Sequence, residues 1–366
     1  MLILALMALG TMAASAATKD LVTPASDSRI TIIGRTFVSG NDVTFEWTGV
    51  YARVAFEGRY IALRASDTKK NYYNVWLDKD TSCEPDKVIA IEGKDSLYVL
   101  FDESAIKAKG AHSLVLQKRT ETEQGRTTLH CFVTRGEVLQ AQGLKPRLIE
   151  FVGDSYTCGY GAENSVRSDP FRPADENSNK TYATIISRYF DADYILVAHS
   201  GQGINRNYDD FGRGWTMPDR YNLLYDTEKE GPKWDAQAAP YRPDLTVIYL
   251  CTNDFSTGRQ PSIKEFRADY IRLLKNIKAA YGEHHKILCI AAPSDELMRD
   301  YIKTSMEASG LSEVWYMALC PLGINWDSDL GASWHPNYAG HRKWAHAILP
   351  YVATVAGWPL EDKILK

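Results

Sequence analysis

The spacing of apolar residues along the 366-residue sequence changes once, near Pro146, and this change constrains the fold more than any other feature. From about residue 29 to residue 142, short runs of apolar, β-branched and aromatic residues are separated by turn signals such as Ser39-Gly40-Asn41-Asp42. Strands spaced in this way are typical of a β-sandwich. After Pro146, near-continuous apolar runs alternate with amphipathic helical patterns, which predicts a parallel sheet covered on both faces by helices. Because single cores seldom grow past about 250 to 300 residues, two domains are expected.

The predicted elements of each half follow from the same patterns. In the first half, Tyr60–Arg64 and Tyr73–Leu77 are among the predicted strands. In the second half, strands are predicted at Leu148–Val152, Tyr194–Ala198, Leu245–Leu250 and Ile287–Ala292, and helices at Tyr182–Phe190, Ile263–Tyr281, Leu297–Met306 and Tyr338–Val355. The segment between Gly203 and Pro243 is long, polar and aromatic, and loops of this length usually cover or line a site.

The N-terminus has the pattern of a secretory signal. Residues 1–12 are almost entirely apolar, and the small residues at 13–17 resemble a cleavage site. We therefore predict a signal peptide over residues 1–16, export to the periplasm, cell surface or medium, and mature domains over residues 17–143 and 144–366. The alternative is a buried N-terminal helix or a single anchor, although the segment is short for a membrane span. No membrane association is expected after cleavage.

The net charge and the cysteine spacing exclude further classes of partner and site. The formal net charge of -4 provides no basic field that would concentrate phosphate groups, so nucleic acid is not an expected partner. The six cysteines show neither a C-x-x-C motif nor zinc-ligand spacing, so we expect no zinc site and few disulfides. The sequence does not decide whether Cys83 and Cys131 form a disulfide.

Residues suited to ester chemistry follow three predicted strands and precede the last predicted helix. These motifs are Gly153-Asp154-Ser155, His199-Ser200-Gly201-Gln202-Gly203, Cys251-Thr252-Asn253-Asp254 and Ser333-Trp334-His335-Pro336-Asn337. Because the carboxyl ends of parallel strands meet at one edge of a sheet, we expect all four motifs at the same rim.

Each motif offers a different part of one reaction. Ser155 is a candidate nucleophile, and His335 is a candidate base. The N–H of Gly201 or Gly203 and the side-chain amide of Asn253 are candidate donors to an oxyanion. Taken singly, each motif is also explained as an ordinary turn, a helix cap or a structural histidine. Their order along the chain is more specific than any one of them.

This arrangement resembles the SGNH hydrolase superfamily, also called GDSL esterases. Its four blocks are matched by Gly153-Asp154-Ser155, Ser200-Gly201, Thr252-Asn253-Asp254 and Trp334-His335-Pro336. The resemblance implies a three-layer α/β domain with a central parallel sheet, Ser155 as nucleophile and His335 as general base. It also implies an oxyanion hole formed by the N–H groups of Ser155 and Gly201 and by the Asn253 side chain, with no metal and no organic cofactor.

The first half resembles the jelly-roll domain of carbohydrate esterase family 2. The motifs that carry this resemblance are Phe45-Glu46-Trp47-Thr48-Gly49, Val54-Ala55-Phe56-Glu57-Gly58, Gly110-Ala111-His112 and Lys118-Arg119-Thr120-Glu121. The two resemblances together cover nearly the whole predicted mature chain. They imply an exported enzyme that removes O-acetyl groups from plant polysaccharides such as acetylated xylan or glucomannan.

The sequence departs from the superfamily pattern near the candidate base. Many members place an Asp three residues before the histidine, and Ala332 occupies that position here, with Ser333 next to it. One hypothesis is a Ser-His dyad in which a main-chain carbonyl within residues 331–333 accepts the Nδ1 proton of His335. The other is that Asp327 or Asp329 folds back to orient His335.

Aromatic residues near the predicted site loops suggest a sugar contact, because aromatic faces stack well on sugar rings. Trp334 is the best candidate, since it adjoins His335, and Trp215 is a second. A structural role is equally compatible with either. Two other functions stay open, a lipase or phospholipase on the same frame and a catalytically silent glycan-binding protein. The sequence does not indicate an oligomeric state.

Overall fold

The structure is a computed structural model, and it describes residues 19–292, 295–319 and 323–365. The predicted signal peptide over residues 1–16 and Cys320 lie outside the described residues. An antiparallel sheet domain comes first and a parallel sheet domain follows, which confirms the predicted two-part organisation. Within the described ranges, no helix has both the length and the apolar character that a membrane crossing requires.

The described strands of the first domain are joined by hydrogen bonds into one antiparallel sheet. They are β1 (Leu21–Pro24), β2 (Thr31–Ile33), β3 (Thr36–Ser39), β4 (Asp42–Phe45), β5 (Tyr51–Glu57), β6 (Ile61–Leu77), β7 (Lys87–Phe101), β8 (Ala111–Lys118), β9 (Thr127–Thr134) and β10 (Val138–Leu139). The main path through the sheet is β10-β5-β8-β6-β9-β4-β3. In addition, β1 pairs with β9, β2 with β5 and β7 with β6.

The long strand β6 organises this sheet, because it pairs with β7, β8 and β9. The sequence predicted two separate strands here, Tyr60–Arg64 and Tyr73–Leu77, and this prediction was wrong. The exposed residues 68–70 interrupt the apolar alternation, but the chain stays extended through them with register shifts against β7. Apolar side chains from these strands form a core of their own.

The second domain is built on a parallel sheet. Its elements are β11 (Arg147–Gly153), α1 (Ser155–Cys158), α2 (Tyr182–Tyr189), β12 (Ala192–Ala198), α3 (Met217–Arg220), β13 (Leu245–Tyr249), α4 (Ile263–Tyr281), β14 (Lys286–Ala291), α5 (Glu296–Ser309), β15 (Val314–Ala318) and α6 (Tyr338–Ala356). The strand order is β12-β11-β13-β14-β15. Every neighbouring pair is parallel, which confirms the predicted parallel sheet. Helix α2 packs against α6, and α4 packs against α5.

Local capping fixes where the last helix begins. The side chain of Asn337 accepts hydrogen bonds from the N–H groups of Ala339 and Gly340, which are otherwise unpaired at a helix start. Helix α6 therefore starts at Tyr338, and the backbone of His335 shortly before it is extended, with φ of -87° and ψ of 156°.

The two domains are packed together through a shared interior. Trp47 of the first domain is buried in the same apolar cluster as the parallel sheet. Arg35 forms a buried ion pair with Glu150 of β11, and Arg53 pairs with Asp193 of β12. Because isolated buried charges are costly, these pairs tie the domains into one arrangement.

The cysteines in the described part of the chain are all free. Cys83 is exposed and Cys131 is buried, so the bridge between them that the sequence left open is not formed.

Candidate active site

Ser155 lies at the carboxyl end of β11, as the first residue of the short helix α1. Asp154 caps this helix, because its side chain accepts a hydrogen bond from the N–H of Tyr156 at 3.1 Å. A Cβ on Gly153 would collide with the side chain of Thr157, so the turn from strand to helix needs glycine there. Ser155 is thereby placed at the rim of the sheet.

His335 reaches Ser155 from the segment before α6. Its Nε2 lies 2.8 Å from the Ser155 Oγ, although the two residues are 180 positions apart. The other ring nitrogen, Nδ1, lies 2.8 Å from the main-chain carbonyl oxygen of Ser333. Since a carbonyl oxygen only accepts hydrogen bonds, Nδ1 carries the proton and Nε2 accepts from the Ser155 hydroxyl.

The surroundings of His335 favour the neutral imidazole. Burial lowers the pKa of His335 to about 4, and the hydrogen bond to the Ser333 carbonyl offsets only part of this effect. The rings of Tyr156 and Tyr160 flank the imidazole, with centroids 5.5 Å and 4.6 Å from it. At neutral pH the imidazole is therefore unprotonated at Nε2 and able to take a proton.

Neither candidate carboxylate is bonded to His335. Asp327 pairs with Arg167 at 2.7 Å, and its side chain is 89% exposed. Asp329 is buried, and it accepts hydrogen bonds from the Asn325 N–H and from Lys343. Of the two arrangements left open by the sequence, the structure has the one with a main-chain carbonyl at Nδ1.

The carbonyl of Ser333 is aimed at His335 by an unusual turn. Ser333 and Trp334 both have positive φ angles, 53° and 61°, which side chains other than glycine adopt rarely. The turn is held by hydrogen bonds from the Ser333 N–H to the Asp169 carbonyl and from the Trp334 N–H to the Arg167 carbonyl. This support was not predicted, because residues 167–169 belong to a polar loop without periodicity.

The loop after β12 presents a free N–H at Gly201. Gly201 has a φ of 76°, and its N–H has no hydrogen-bond partner within the described part of the chain. The N–H of Gly203, the alternative donor, is directed to the Asn207 side chain at 3.3 Å. A Cβ on Gly203 would also collide with the Arg206 carbonyl. Gly203 therefore shapes the loop, and Gly201 is the available donor.

Asn253 points its amide into the same region, but both of its N–H bonds are engaged. Nδ2 donates to the Gln202 carbonyl at 2.8 Å and to the Asp154 carboxyl at 3.2 Å. The longer bond, to Asp154, is the one that an oxyanion would replace. Burial raises the pKa of Asp154 to about 7, and the nearby charge of Asp254 adds to this shift.

A residue of the first domain supports the loop that carries Gly201, the candidate oxyanion donor. The Glu121 carboxylate accepts a hydrogen bond from the N–H of Ser200 at 2.7 Å, one residue before Gly201. Glu121 belongs to the Lys118-Arg119-Thr120-Glu121 motif, and it also contacts the thiol of Cys158 in α1 at 3.6 Å. The first domain thus contacts both the helix that begins at Ser155 and the loop that carries Gly201.

Glu121, Cys158 and Glu176 bring three potential metal-ligand atoms within 4.8 Å of one another. Burial raises the pKa of Glu176 well above its ordinary value, and the charge of Glu121 adds to the effect. All three side chains are buried, and Cys158 belongs to the helix that begins at Ser155.

His199, at the end of β12, was part of the second motif but has a different environment. It forms a buried ion pair with Asp226 through Nδ1, and its Nε2 lies 3.2 Å from Glu123. Burial alone would lower the pKa of His199, but the charge of Asp226 and these hydrogen bonds outweigh it and raise the pKa to about 10. His199 is therefore a cation at neutral pH, and its ion pair with Asp226 anchors the loop.

A cleft of about 390 Å³ opens above Ser155 and His335. Trp334 lines this cleft, and so does Tyr208 from the long loop before β13. The contact of Trp334 with a sugar stays a prediction. Trp215 is not among the lining residues, and the guanidinium group of Arg220 lies over its indole, 3.7 Å from the ring centroid. Proximity in sequence to the predicted site loop did not indicate where Trp215 packs.

Both halves of the chain match known families. Residues 32–141 match the carbohydrate esterase 2 N-terminal domain, and residues 151–343 match the GDSL-like lipase/acylhydrolase family. The chain is 29% identical over 330 residues to the cellulase/esterase CelE of Acetivibrio thermocellus, a match that covers 88% of this chain but only 39% of that protein. It is 28% identical to an acetylxylan esterase / glucomannan deacetylase of Cellvibrio japonicus, with 86% of each protein covered.

Solved structures agree with these matches. A family two carbohydrate esterase from Clostridium thermocellum, in complex with cellohexaose, superposes with a TM-score of 0.81 at 29% identity, covering 90% of this chain and all of that chain. A family two carbohydrate esterase from Cellvibrio japonicus gives a TM-score of 0.82 at 22% identity, covering 93% and 99% of the two chains. The second family model covers more than half of the chain and the first matches the antiparallel domain, so the chain belongs to the GDSL-like lipase/acylhydrolase family and carries a first domain similar to the carbohydrate esterase 2 N-terminal domain.

Proposed function

We propose that the protein is an exported serine esterase that removes O-acetyl groups from plant polysaccharides such as acetylated xylan or glucomannan. The observation that carries this proposal is the 2.8 Å contact between Ser155 Oγ and His335 Nε2 at the end of a parallel strand. The names of the relatives support the substrate class, since one of them is an acetylxylan esterase / glucomannan deacetylase. Export rests on the apolar residues 1–12 and the small residues that follow them.

The proposed reaction has two steps. Ser155 attacks the acetyl carbonyl carbon while His335 takes the hydroxyl proton at Nε2. The bond from the carbonyl carbon to the sugar oxygen then breaks, and the sugar leaves with the proton from His335. Water repeats the sequence on the acetyl-enzyme, releasing acetate and restoring the Ser155 hydroxyl. No oxidant or reductant is needed.

The oxyanion is stabilised in this proposal by three donors. The N–H groups of Ser155 and Gly201 have no partners among the described residues, and they need no rearrangement. Asn253 joins them when its longer bond, the 3.2 Å contact to Asp154, is given up. Preorganised donors of this kind account for a large part of the rate enhancement in acyl transfer.

The finer features of the fold also belong to this proposal. We assign the antiparallel domain, residues 17–143, to the jelly-roll class and the catalytic domain, residues 144–366, to the three-layer SGNH class. The pairing of α2 with α6 and of α4 with α5 supports one helical layer on each face of the parallel sheet.

The test is release of acetate from acetylated xylan, acetylated glucomannan and 6-O-acetyl hexosides by wild type and by Ser155→Ala. We expect acetate from the wild type and a loss of about 10⁴-fold or more in kcat for the variant. Ser165→Ala, a serine in an exposed loop, is the matched control and should keep wild-type activity. Equal activity of Ser155→Ala and wild type would refute the proposal.

A further inference from the structure

The loop that carries Gly201 contains a turn from His199 to Gln202, closed by a hydrogen bond from the Gln202 N–H to the His199 carbonyl at 3.3 Å. Ser200 and Gly201 are the central residues of this turn. The closing bond of such a turn joins its first and last residues, so the main-chain groups of the central residues depend on partners from outside. Those outside partners determine where the Gly201 N–H lies.

Hydrogen bonds from outside the turn hold both central residues. The Ser200 N–H donates to the Glu121 carboxylate at 2.7 Å, and the Gly201 carbonyl accepts from the Tyr208 N–H at 2.8 Å. The Gly201 N–H lies between these two anchors and has no partner within the described part of the chain. Because a hydrogen bond to a carboxylate is roughly twice as strong as one between neutral groups, Glu121 is the stronger anchor.

Glu121 is itself held in a fixed place. It is only 1% exposed, its N–H donates to the Glu176 carboxyl group at 3.0 Å, and its carbonyl accepts from the Lys118 ammonium group at 3.0 Å. Glu123, which also belongs to the first domain, lies 3.2 Å from Nε2 of His199. The first domain therefore contacts two consecutive residues of the turn, and this limits movement between Glu121 and the turn.

We propose that Glu121 is a positioning residue for acyl transfer: by holding the Ser200 N–H, it places the Gly201 N–H where the oxyanion forms at Ser155. Glu121 does not line the cleft above Ser155, so it acts through the turn. Donors stabilise an oxyanion best when they are fixed before the charge develops, and a displacement of about 1 Å can cost about 10²-fold in rate. The inference rests on the proposed function, since it concerns an oxyanion donor of that reaction.

The experiment compares Glu121→Ala and Glu121→Gln with the wild type on 4-nitrophenyl acetate. Glu121→Ala removes the acceptor of the Ser200 N–H, so kcat should fall by about 10²-fold. KM should stay within about twofold, because the bond from Gly201 to the oxyanion is made in the transition state. Glu121→Gln keeps an acceptor oxygen of the same reach and should bring kcat back to within about fivefold of the wild type.

Inhibition by methylboronic acid provides a second readout. The Ser155 oxygen bonds to boron, His335 takes the hydroxyl proton, and a boron-bound oxygen occupies the position of the oxyanion. The inhibition constant should rise by about 10²-fold in Glu121→Ala and return towards the wild-type value in Glu121→Gln, because the adduct resembles the transition state. If Glu121→Ala does not fold, Glu121→Asp draws the acceptor back by one methylene group and should lower kcat by about tenfold with KM unchanged.

Asp193→Ala is the matched control, because Asp193 is also a buried carboxylate between the two domains. It pairs with Arg53 and accepts a hydrogen bond from the Lys145 N–H at 2.8 Å. It lies near the start of β12, whereas the turn with Ser200 follows the end of that strand. The melting temperature should fall, but kcat measured well below it should stay within about threefold of the wild type. Asp193→Asn replaces this variant if it does not fold.

A role in stability alone would give a different pattern. A kcat within about threefold of the wild type in folded Glu121→Ala, or a loss in Glu121→Gln as large as in Glu121→Ala, would overturn the inference. A loss of the same size in Asp193→Ala would also overturn it, because any loosening of the domains would then lower activity. Ser155-dependent hydrolysis by the wild type would leave the proposed function standing in each of these cases. Absence of Ser155-dependent hydrolysis in the wild type would overturn both.

Discussion

Two histidines lie at the same edge of the parallel sheet, in opposite electrostatic environments. His199 follows β12 and pairs with the buried carboxylate of Asp226, whereas His335 precedes α6 and bonds the main-chain carbonyl of Ser333. The pKa of His199 is raised to about 10, and that of His335 is lowered to about 4. At neutral pH one imidazole is a cation and the other is a free base.

The difference shows what the partner at Nδ1 decides. Either partner fixes the tautomer, but a buried carboxylate also adds a negative charge that stabilises the protonated ring. A carbonyl oxygen orients the ring without that charge, so His335 remains neutral and keeps Nε2 available to Ser155. The cost is that the imidazolium formed during catalysis has no carboxylate beside it.

The largest expected effect separates the two histidines by function. His335→Ala removes the proton acceptor of Ser155, so kcat on 4-nitrophenyl acetate should fall by about 10⁴-fold or more. The melting temperature should change little, because a neutral ring with two hydrogen bonds is lost from a cleft. In His199→Asn the main loss should instead be in stability, since its ion pair anchors a loop. A larger activity loss in His199→Asn than in His335→Ala would reverse the assignment.

The next prediction concerns the charge pair at His199. Asp226→Ala leaves His199 and Arg220 as buried cations without their common partner, so the free energy of unfolding should fall by about 3 to 5 kcal/mol in denaturant titrations. The folded pKa of His199 lies above its ordinary 6.5, so its contribution is complete below pH 6.5 and is lost as pH rises through about 10. The difference in the free energy of unfolding between wild type and Asp226→Ala should therefore become smaller at alkaline pH.

Asp95→Ala is the control for this prediction. Asp95 also pairs with an arginine, Arg64, but both side chains are well exposed. Exposed pairs contribute about 0 to 1 kcal/mol, so this variant should stay close to the wild type. A loss in Asp226→Ala no larger than in Asp95→Ala would show that His199 is not held as a cation.

The pH profile of activity tests the lowered pKa of His335. Because the pKa of His335 is lowered to about 4, kcat/KM should stay constant from neutral pH downward and fall only as pH drops through about 4. Ser333→Asp places a carboxylate near the ring, on a backbone with φ of 53° that Asp tolerates, and should move the acid limb upward by about one pH unit. Ser333→Asn is the uncharged control. An acid limb near pH 6.5 in the wild type would contradict the lowered pKa.

The spacing of apolar runs predicted the parallel sheet, because strands buried on both faces consist of nearly continuous apolar residues. Helix Ile263–Tyr281 was predicted with its observed bounds, since Ser262 caps its start and Gly282 follows its end. Strand β15, Val314–Ala318, was missed, because it is an edge strand with half-buried side chains and lacks the continuous apolar run. In the antiparallel domain, the single strand β6 was predicted as two strands. Its polar residues stay extended because they pair with distant strands, whereas the local pattern predicts a break there.

The residues of the candidate site could be proposed from the sequence, but the contacts that hold them in place could not. Ser155, Gly201, Asn253 and His335 stand at strand ends and at a helix entrance, positions that the local pattern marks. The turn at residues 332–334 depends on contacts with residues 167–169, and the Ser200 N–H depends on Glu121 from the other domain. Such contacts between distant segments have no periodic signal in a single sequence.

The smallest expected effect tests whether any carboxylate assists His335 as Asp226 assists His199. Asp327→Ala and Asp329→Ala should each leave kcat/KM on 4-nitrophenyl acetate within about tenfold of wild type, because the Nδ1 proton already goes to the Ser333 carbonyl. Asp327 is exposed and should also leave stability unchanged, whereas Asp329 is buried against Lys343 and its loss should lower the melting temperature. Measuring kcat/KM well below the melting temperature of each variant separates the two effects. A fall of about 10³-fold in either variant under those conditions would mean that a carboxylate reaches His335 during the reaction, and the contrast between the two histidines would then hold only for the resting enzyme.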